Sequence, residues 1–376
     1  MIPNQRELFG IPDDVVYFNC AYTSPLPAPV EQAGREAVAL KRTPWKLAPE
    51  LFLSSPERAR AAFAALLGCD AEGVALVPAV SYALAVAARN LPLAGDRFVL
   101  VLDEQFPSNV YPWMKMAPGR VRAVPRPKEG SWSDAVLAAV TPDVGLVAMP
   151  NCHWTDGTVF DLAAVRAACD AVGAHLVVDA TQSLGAMPFD MAAVRPDALA
   201  ASGHKWLLGP YGVSYLYLDA KWRNGEPLEE NWLNREGSED FSRLTEYRDG
   251  YRPGARRFDM GEVSSFALMP MAAAALELIA SWGVENVAAS LKPVVTRLAV
   301  TGQAFGLTPV PEAERAPHMI GLKLVNRLAK PVVQGMAYQN VFASARGSVI
   351  RLAPHLFANA RDIELFTNAL ARNLST

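Results

Sequence analysis

The chain has 376 residues, 51% of them hydrophobic, enough to bury one large core or two moderate ones, and its length favours two domains. Lys plus Arg (35) nearly balance Asp plus Glu (38) and no basic run stands out, which argues against nucleic acid or an anionic membrane surface and for a small-molecule partner. The start carries no basic-then-apolar leader and no apolar run reaches membrane-spanning length, so a cytoplasmic protein is expected.

In chain order, short apolar runs alternate with helical patterns. "RFVLVLD" (97–103), "DVGLVAMP" (143–150), "HLVVDAT" (175–181) and "GVSYLYLD" (212–219) read as buried strands. Between them lie helical segments such as "SDAVLAAV" and "DLAAVRAACDAVG", the second started by Asp161 as N-cap and stopped by Gly173. That alternation predicts a parallel α/β sheet, whose ligands gather at the carboxyl ends of the strands, where Asp179, the 150–157 loop and the loop carrying Lys205 converge. The polar, Arg-rich stretch from Asn224 to Glu262 is too long for a simple connection and reads as a functional or interface loop. An alanine-rich helix follows ("MPMAAAALELIASWG"), then the short strands "HMIGLKLV" and "GSVIRLAP" and a last helix, "NARDIELFTNALARNL". These segments predict a large domain over 15–265 and a smaller C-terminal α/β domain over 266–376, with residues 1–14 packing on the latter.

Several chemistries lose their usual support. Cys20, Cys69, Cys152 and Cys169 have no CxxC spacing and the five histidines no HExxH pairing, so no metal site is expected. GxGxxG, the Walker-type GxxxxGK[ST] and GxSxG are all absent. What remains is a lysine in an awkward place. Lys205, in "ALAASGHKWLLGPYGVSYLYLD", precedes an apolar segment where an ammonium group is expensive without compensation. Asp179 and Gln182 stand upstream in "VVDATQSLGAMPFD", and Ser202 and His204 stand just before the lysine. A carboxylate to keep a ring nitrogen protonated, hydroxyl and imidazole donors for a phosphate, and an imine-forming lysine are the parts that hold pyridoxal 5'-phosphate.

With this constellation the sequence resembles the class V aminotransferase family of fold-type I enzymes, which includes cysteine desulfurases, kynureninase and isopenicillin epimerase-like proteins. The resemblance runs along nearly the whole chain. It implies that Asp179 pairs with the pyridine nitrogen, Gln182 with the phenolic oxygen, Ser202 and His204 with the phosphate, and that Lys205 forms the imine. "VPAVSYALAVAARNL" is similar to the family's phosphate turn, with Val80 and Ser81 where two threonines are frequent, leaving one hydroxyl. "EQFPSNVYPW" resembles the segment whose aromatic ring stacks on the cofactor, a role that falls to Phe106. "YFNCAYTSPLP" resembles the N-terminal segment, which brings Asn19 to the substrate, and "GSVIRLAPHLFANARDIELF" the segment in which Arg351 forks onto the substrate carboxylate. "RRFDMGEVSSFALMP" resembles the stretch that reaches the neighbouring subunit's site, so a homodimer with shared sites is expected, Ser264 or Ser265 donating to the other phosphate.

Two departures bear on the reaction. Many desulfurases have an asparagine three residues before the glycine of "NCHWTDG", where this chain has Trp154, as kynureninase-like members have an aromatic. Desulfurases also need a nucleophilic cysteine on a late loop, and no cysteine follows Cys169. The resemblance therefore favours an aminotransferase, or alternatively a C–S or C–C lyase or an epimerase, acting on an α-amino acid. A cofactor-binding regulator is the reading outside enzymes, and the basic helix-turn-helix extension of such regulators is not seen here.

Overall fold

A computed structural model describes residues 1–375. After β1 (Val16–Tyr17), the strands β2 (Val74–Val77), β3 (Phe98–Leu102), β4 (Val121–Val124), β5 (Val144–Pro150), β6 (His175–Asp179), β7 (Ala198–Ser202) and β8 (Ser214–Leu218) follow. β2 to β8 make one seven-stranded sheet in the order β2-β8-β7-β6-β5-β3-β4. The neighbours from β4 through β7 pair in parallel, whereas β8 runs against both β7 and β2. Residues 203–213 are too few to carry the helical crossover that a parallel neighbour needs, so the chain turns back instead.

Helices cover both faces, which is why the strands read as nearly continuous apolar runs. Along β3, Leu100 and Leu102 enter one core and Val99 and Val101 another, the two-residue alternation of a pleated strand. The helix Leu162–Val172 returns the chain from β5 to β6. The Asp161 carboxylate accepts the Ala164 amide at 2.9 Å to start it, and Gly173, at φ +64°, ends it in the left-handed region.

The sheet delivers Pro150, Asp179 and Ser202 to one edge at the carboxyl ends of β5, β6 and β7. Because β8 is reversed, its first residue, Ser214, pairs with Ser202 at that same edge.

A second sheet holds β9 (Thr308–Pro309), β10 (Ile320–Lys323), β12 (Ser344–Arg346) and β13 (Val349–Leu352) in the antiparallel order β12-β13-β10-β9, while β11 (Val341–Phe342) pairs in parallel with β1. Ile350, Leu352, Leu298 and Phe366 share its core with Phe18 from the chain's beginning. The first residues lie against the C-terminal segment: Asn4 Nδ2 donates to the Ala358 carbonyl, the Gln5 amide to the Leu356 carbonyl, and Arg6 pairs with Asp362 at 2.9 Å. The long loop is held by charge. Asp259 pairs with the buried Arg60 at 2.6 Å, and Arg256 bridges Glu57 and Glu72. Among the described residues no single helix is long and apolar enough to cross a membrane.

Candidate active site

Loops leaving β2, β3, β5, β6 and β7 enclose a cavity of about 270 Å³ at the carboxyl edge of the sheet. Val80, Ser81, Phe106, Trp154, Asp179, Gln182, Ser202, His204 and Lys205 all line it. These positions are scattered over more than a hundred residues of sequence and are brought together by strand order alone.

Lys205 and Asp179 form the electrostatic centre. Burial pulls the Lys205 amine down to about 8; Asp179 opposes that shift, and Arg351 and Arg346 add to it. No carboxylate lies within 4 Å of Lys205 among the described residues, so the ammonium is destabilised rather than locked. Burial raises the Asp179 carboxyl above its ordinary range, against the Thr181 contact and the Lys205 charge that favour its ionised form. One Asp179 oxygen accepts the Thr181 amide at 3.0 Å.

At the end of β2 the helix Val80–Asn90 begins without a side-chain cap, since Ala79 at the N-cap has no oxygen to offer. Its first amides therefore point out of the helix without intrahelical acceptors, an arrangement that suits an anion. Ser81 borders the same space. Across it, the Ser202 hydroxyl meets His204 Nδ1 at 2.9 Å. Burial, reinforced by the neighbouring Lys205 charge, holds His204 down at about 4, so at neutral pH its ring is uncharged.

Gln182 is already fixed at both ends. Its Nε2 donates to the Ala21 carbonyl and its Oε1 accepts the Trp206 indole N–H, each at 3.0 Å, which leaves one amide hydrogen free. Phe106 is 41% exposed, with Lys205 Nζ 5.5 Å from its ring centre. Trp154 packs edge-on against Phe106 at 5.4 Å and donates its indole N–H to the Glu104 carbonyl at 2.7 Å, so it steadies the loop that presents Phe106.

A second compartment adjoins the first through Phe106, Trp154, Gln182, His204 and Lys205, and it holds Arg351. Arg351 Nη1 donates to the Trp154 carbonyl at 2.6 Å and Nη2 reaches the Ser344 hydroxyl at 3.4 Å. Burial, and after it the charge of Arg346, pulls its guanidinium below the ordinary arginine value. Asn19 lines neither compartment. Its side-chain oxygen accepts the Ser344 hydroxyl at 2.5 Å, one hydrogen bond behind Arg351. Ser264 is buried and also borders neither compartment within one chain. The lining residues that escaped the sequence reading include Arg346 and the 79%-exposed Tyr211, whose ring meets His204 at 4.4 Å. Arg346 had a faint signal, the Gly-Ser pair that follows it, which suits the two-residue turn of a hairpin.

A family model described as aminotransferase class-V matches residues 16–348. The chain is 29% identical to the uncharacterized aminotransferase YcbU of Bacillus subtilis, over 95% of this chain and 94% of that one. It is 28% identical to a kynureninase of Deinococcus radiodurans, over 73% and 68% of the two chains. Among solved structures, the apo cysteine desulfurase of Thermococcus onnurineus NA1 superposes with a TM-score of 0.84 at 18% identity, covering all of both chains. The cystine C-S lyase C-DES, in complex with its product cysteine persulfide, superposes with a TM-score of 0.85 at 20% identity, over 96% and 98%.

Proposed function

The chain belongs to the class V aminotransferase family of pyridoxal-phosphate-dependent enzymes, and from that premise we propose that it is an aminotransferase acting on an α-amino acid at the cavity around Lys205. The observation that carries this reading is a half-buried lysine with a depressed amine and a buried carboxylate beside an uncapped helix start. These residues fit the cofactor. The first amides of the helix at Val80 and Ser81, with Ser202 and His204, suit its phosphate, and Asp179 suits its ring nitrogen. Gln182 has one amide hydrogen left for the phenolic oxygen, and Phe106 offers a face to the ring. When bound, pyridoxal 5'-phosphate supplies an electron sink for the bond that breaks at the substrate's α-carbon.

The chain's own residues then do the following. Asp179 keeps a proton on the ring nitrogen, because its buried carboxylate has only the Thr181 amide and the Lys205 charge to satisfy it otherwise. Arg351 holds the α-carboxylate, and the hydrogen-bonded line from Asn19 through Ser344 fixes its orientation. Free Lys205 takes the α-proton. With its amine at about 8, roughly a tenth of it is the neutral base at pH 7. The enzyme acts as a cytoplasmic homodimer in this reading, with Ser264 turned toward the phosphate of the other subunit's site.

A lyase is the second reading, favoured by the kynureninase among the relatives. A persulfide-forming desulfurase is disfavoured by its thiols. Burial pushes Cys20, Cys69 and Cys169 up to about 12 and Cys152, which borders the cavity, higher still, so none offers a thiolate at neutral pH. A panel of amino acids with and without a 2-oxo acid acceptor, followed by mass spectrometry, tests the assignment. Transfer of the amino group to the acceptor is the expected result; elimination or cleavage products that form without an acceptor would replace the aminotransferase by the lyase.

A further inference from the structure

The compartment beside Lys205 holds more positive charge than a single α-carboxylate calls for. β12 and β13 form a hairpin across Gly347 and Ser348, with Ser344 opposite Arg351 and Arg346 opposite Val349. Residues two apart along a strand share a face, so Ser344, Arg346, Val349 and Arg351 all stand on one face of this hairpin. Both guanidinium groups therefore enter the same space, which Lys205 also lines. No acidic residue lines that space, and among the described residues neither arginine has an acidic partner within 4 Å. Among the described residues their only hydrogen-bond acceptors are the carbonyls of Trp154 and Ala345 and the Ser344 hydroxyl.

Both arginines also leave Nε without a partner, although Arg351 is 1% exposed. An unpaired guanidinium sealed from water is costly, and a second one on the same face raises the cost. Trp154 joins the two. Its carbonyl receives Arg351, and Arg346 lies over its ring, 5.0 Å from the centre. A guanidinium held over an indole face by cation–π attraction still has N–H groups to offer an anion.

We infer that the substrate is an α-amino acid with a second acidic group, which Arg346 binds while Arg351 holds the α-carboxylate. The inference rests on the function proposed above, and it names the substrate class of that site. Two anionic groups match the two unpaired guanidiniums, and Lys205 stands beside them for the amine. A substrate with one carboxylate would leave Arg346 facing Arg351 with nothing between them.

Calorimetric titration of the holoenzyme with glutarate and with butyrate tests the idea without turnover, because neither acid has an amine to react. A charge-assisted fork contributes enough that glutarate is expected to bind about tenfold tighter or more. In Arg346→Gln the ratio should fall to within about threefold, with Arg346→Lys in between because it keeps the charge and loses the fork. In turnover, glutamate or aspartate should exceed its amide counterpart by a similar factor in kcat/KM. Equal binding of glutarate and butyrate to the natural protein, or an undiminished ratio in Arg346→Gln, would overturn the inference. The visible absorbance of the cofactor, recorded on the same samples, keeps the two claims apart: with that band present, loss of the glutarate preference counts against the second acidic group and leaves the cofactor assignment intact.

Discussion

Arg60 and Arg351 are both sealed from solvent, at 0% and 1% exposure, yet they are solved differently. Arg60 meets Asp259 with two nitrogens, at 3.1 and 2.6 Å, adds Glu57 at 3.3 Å, and donates to the Val74 carbonyl. Asp259 accepts the Leu76 amide as well, so the pair fastens the long loop to β2. Among the described residues Arg351 has no carboxylate within 4 Å, only the Trp154 carbonyl and the Ser344 hydroxyl. A buried charge whose counterion lies in the same chain builds structure, whereas one left without a counterion is prepared for a ligand.

The largest effect is expected where site charge meets chemistry. Asp179→Ala should keep the fold and part of the cofactor but lower turnover by about three orders of magnitude or more, since in the proposed mechanism Asp179 is the carboxylate that keeps the ring nitrogen protonated. Steady-state rates against fully loaded protein measure it, and near-normal rates would remove Asp179 from its role. Asp179→Glu should fall between. Next comes the structural arginine. Arg60→Met strands the Asp259 carboxylate in the core and is expected to lower stability by about 3–5 kcal/mol in urea unfolding. Arg351→Met should cost clearly less, about 1 kcal/mol, because it strands no buried charge, only the Trp154 carbonyl and the Ser344 hydroxyl. Equal losses for the two would erase the contrast between them.

Arg351→Lys sharpens the same contrast on the functional side. It retains the charge but loses the planar fork, and the apparent KM for α-amino acids should rise about 10- to 100-fold with a smaller change in cofactor content. The pH profile gives a gentler test. Burial holds the free Lys205 amine near 8 instead of 10.5, and in the proposed mechanism its neutral form is the base, so kcat should climb as pH rises through about 8 and level above it. A limb that continued toward 10.5 would mean that burial does not tune this lysine. Smallest of all is the effect of replacing Cys20, Cys69, Cys152 and Cys169 together by serine or alanine, which should leave the rate within about tenfold if no thiol takes part.

The contrast also explains what could be read in advance. Asp179, Gln182, Ser202, His204 and Lys205 were legible as residue types in a fixed order, and the neighbouring strands β6 and β7 bring them to one cavity. The helix 162–172 was legible from its Asp161 and Gly173 caps. β7 was not, since "ALAAS" lacks the β-branched and aromatic residues that mark strands and is held extended by pairing with β6 and β8. Arg346 was hidden in a three-residue strand too short for any periodicity, and only hairpin register sets it on the face of Arg351. For Asn19 and Ser264 the sequence pattern offered a resemblance to site segments but no distance to the site. Asn19 stands behind Arg351, and Ser264 borders neither compartment of a single chain.

In this reading Lys205, half-buried and without a salt-bridge partner among the described residues, carries the cofactor. Borohydride reduction of the purified holoprotein, followed by proteolysis and mass mapping, tests it directly. The visible band should disappear, and a reduced pyridoxyl adduct should be found on the peptide containing Lys205 and on no other. An adduct on Lys41, Lys221 or any other lysine, or a visible band that survives reduction, would contradict it.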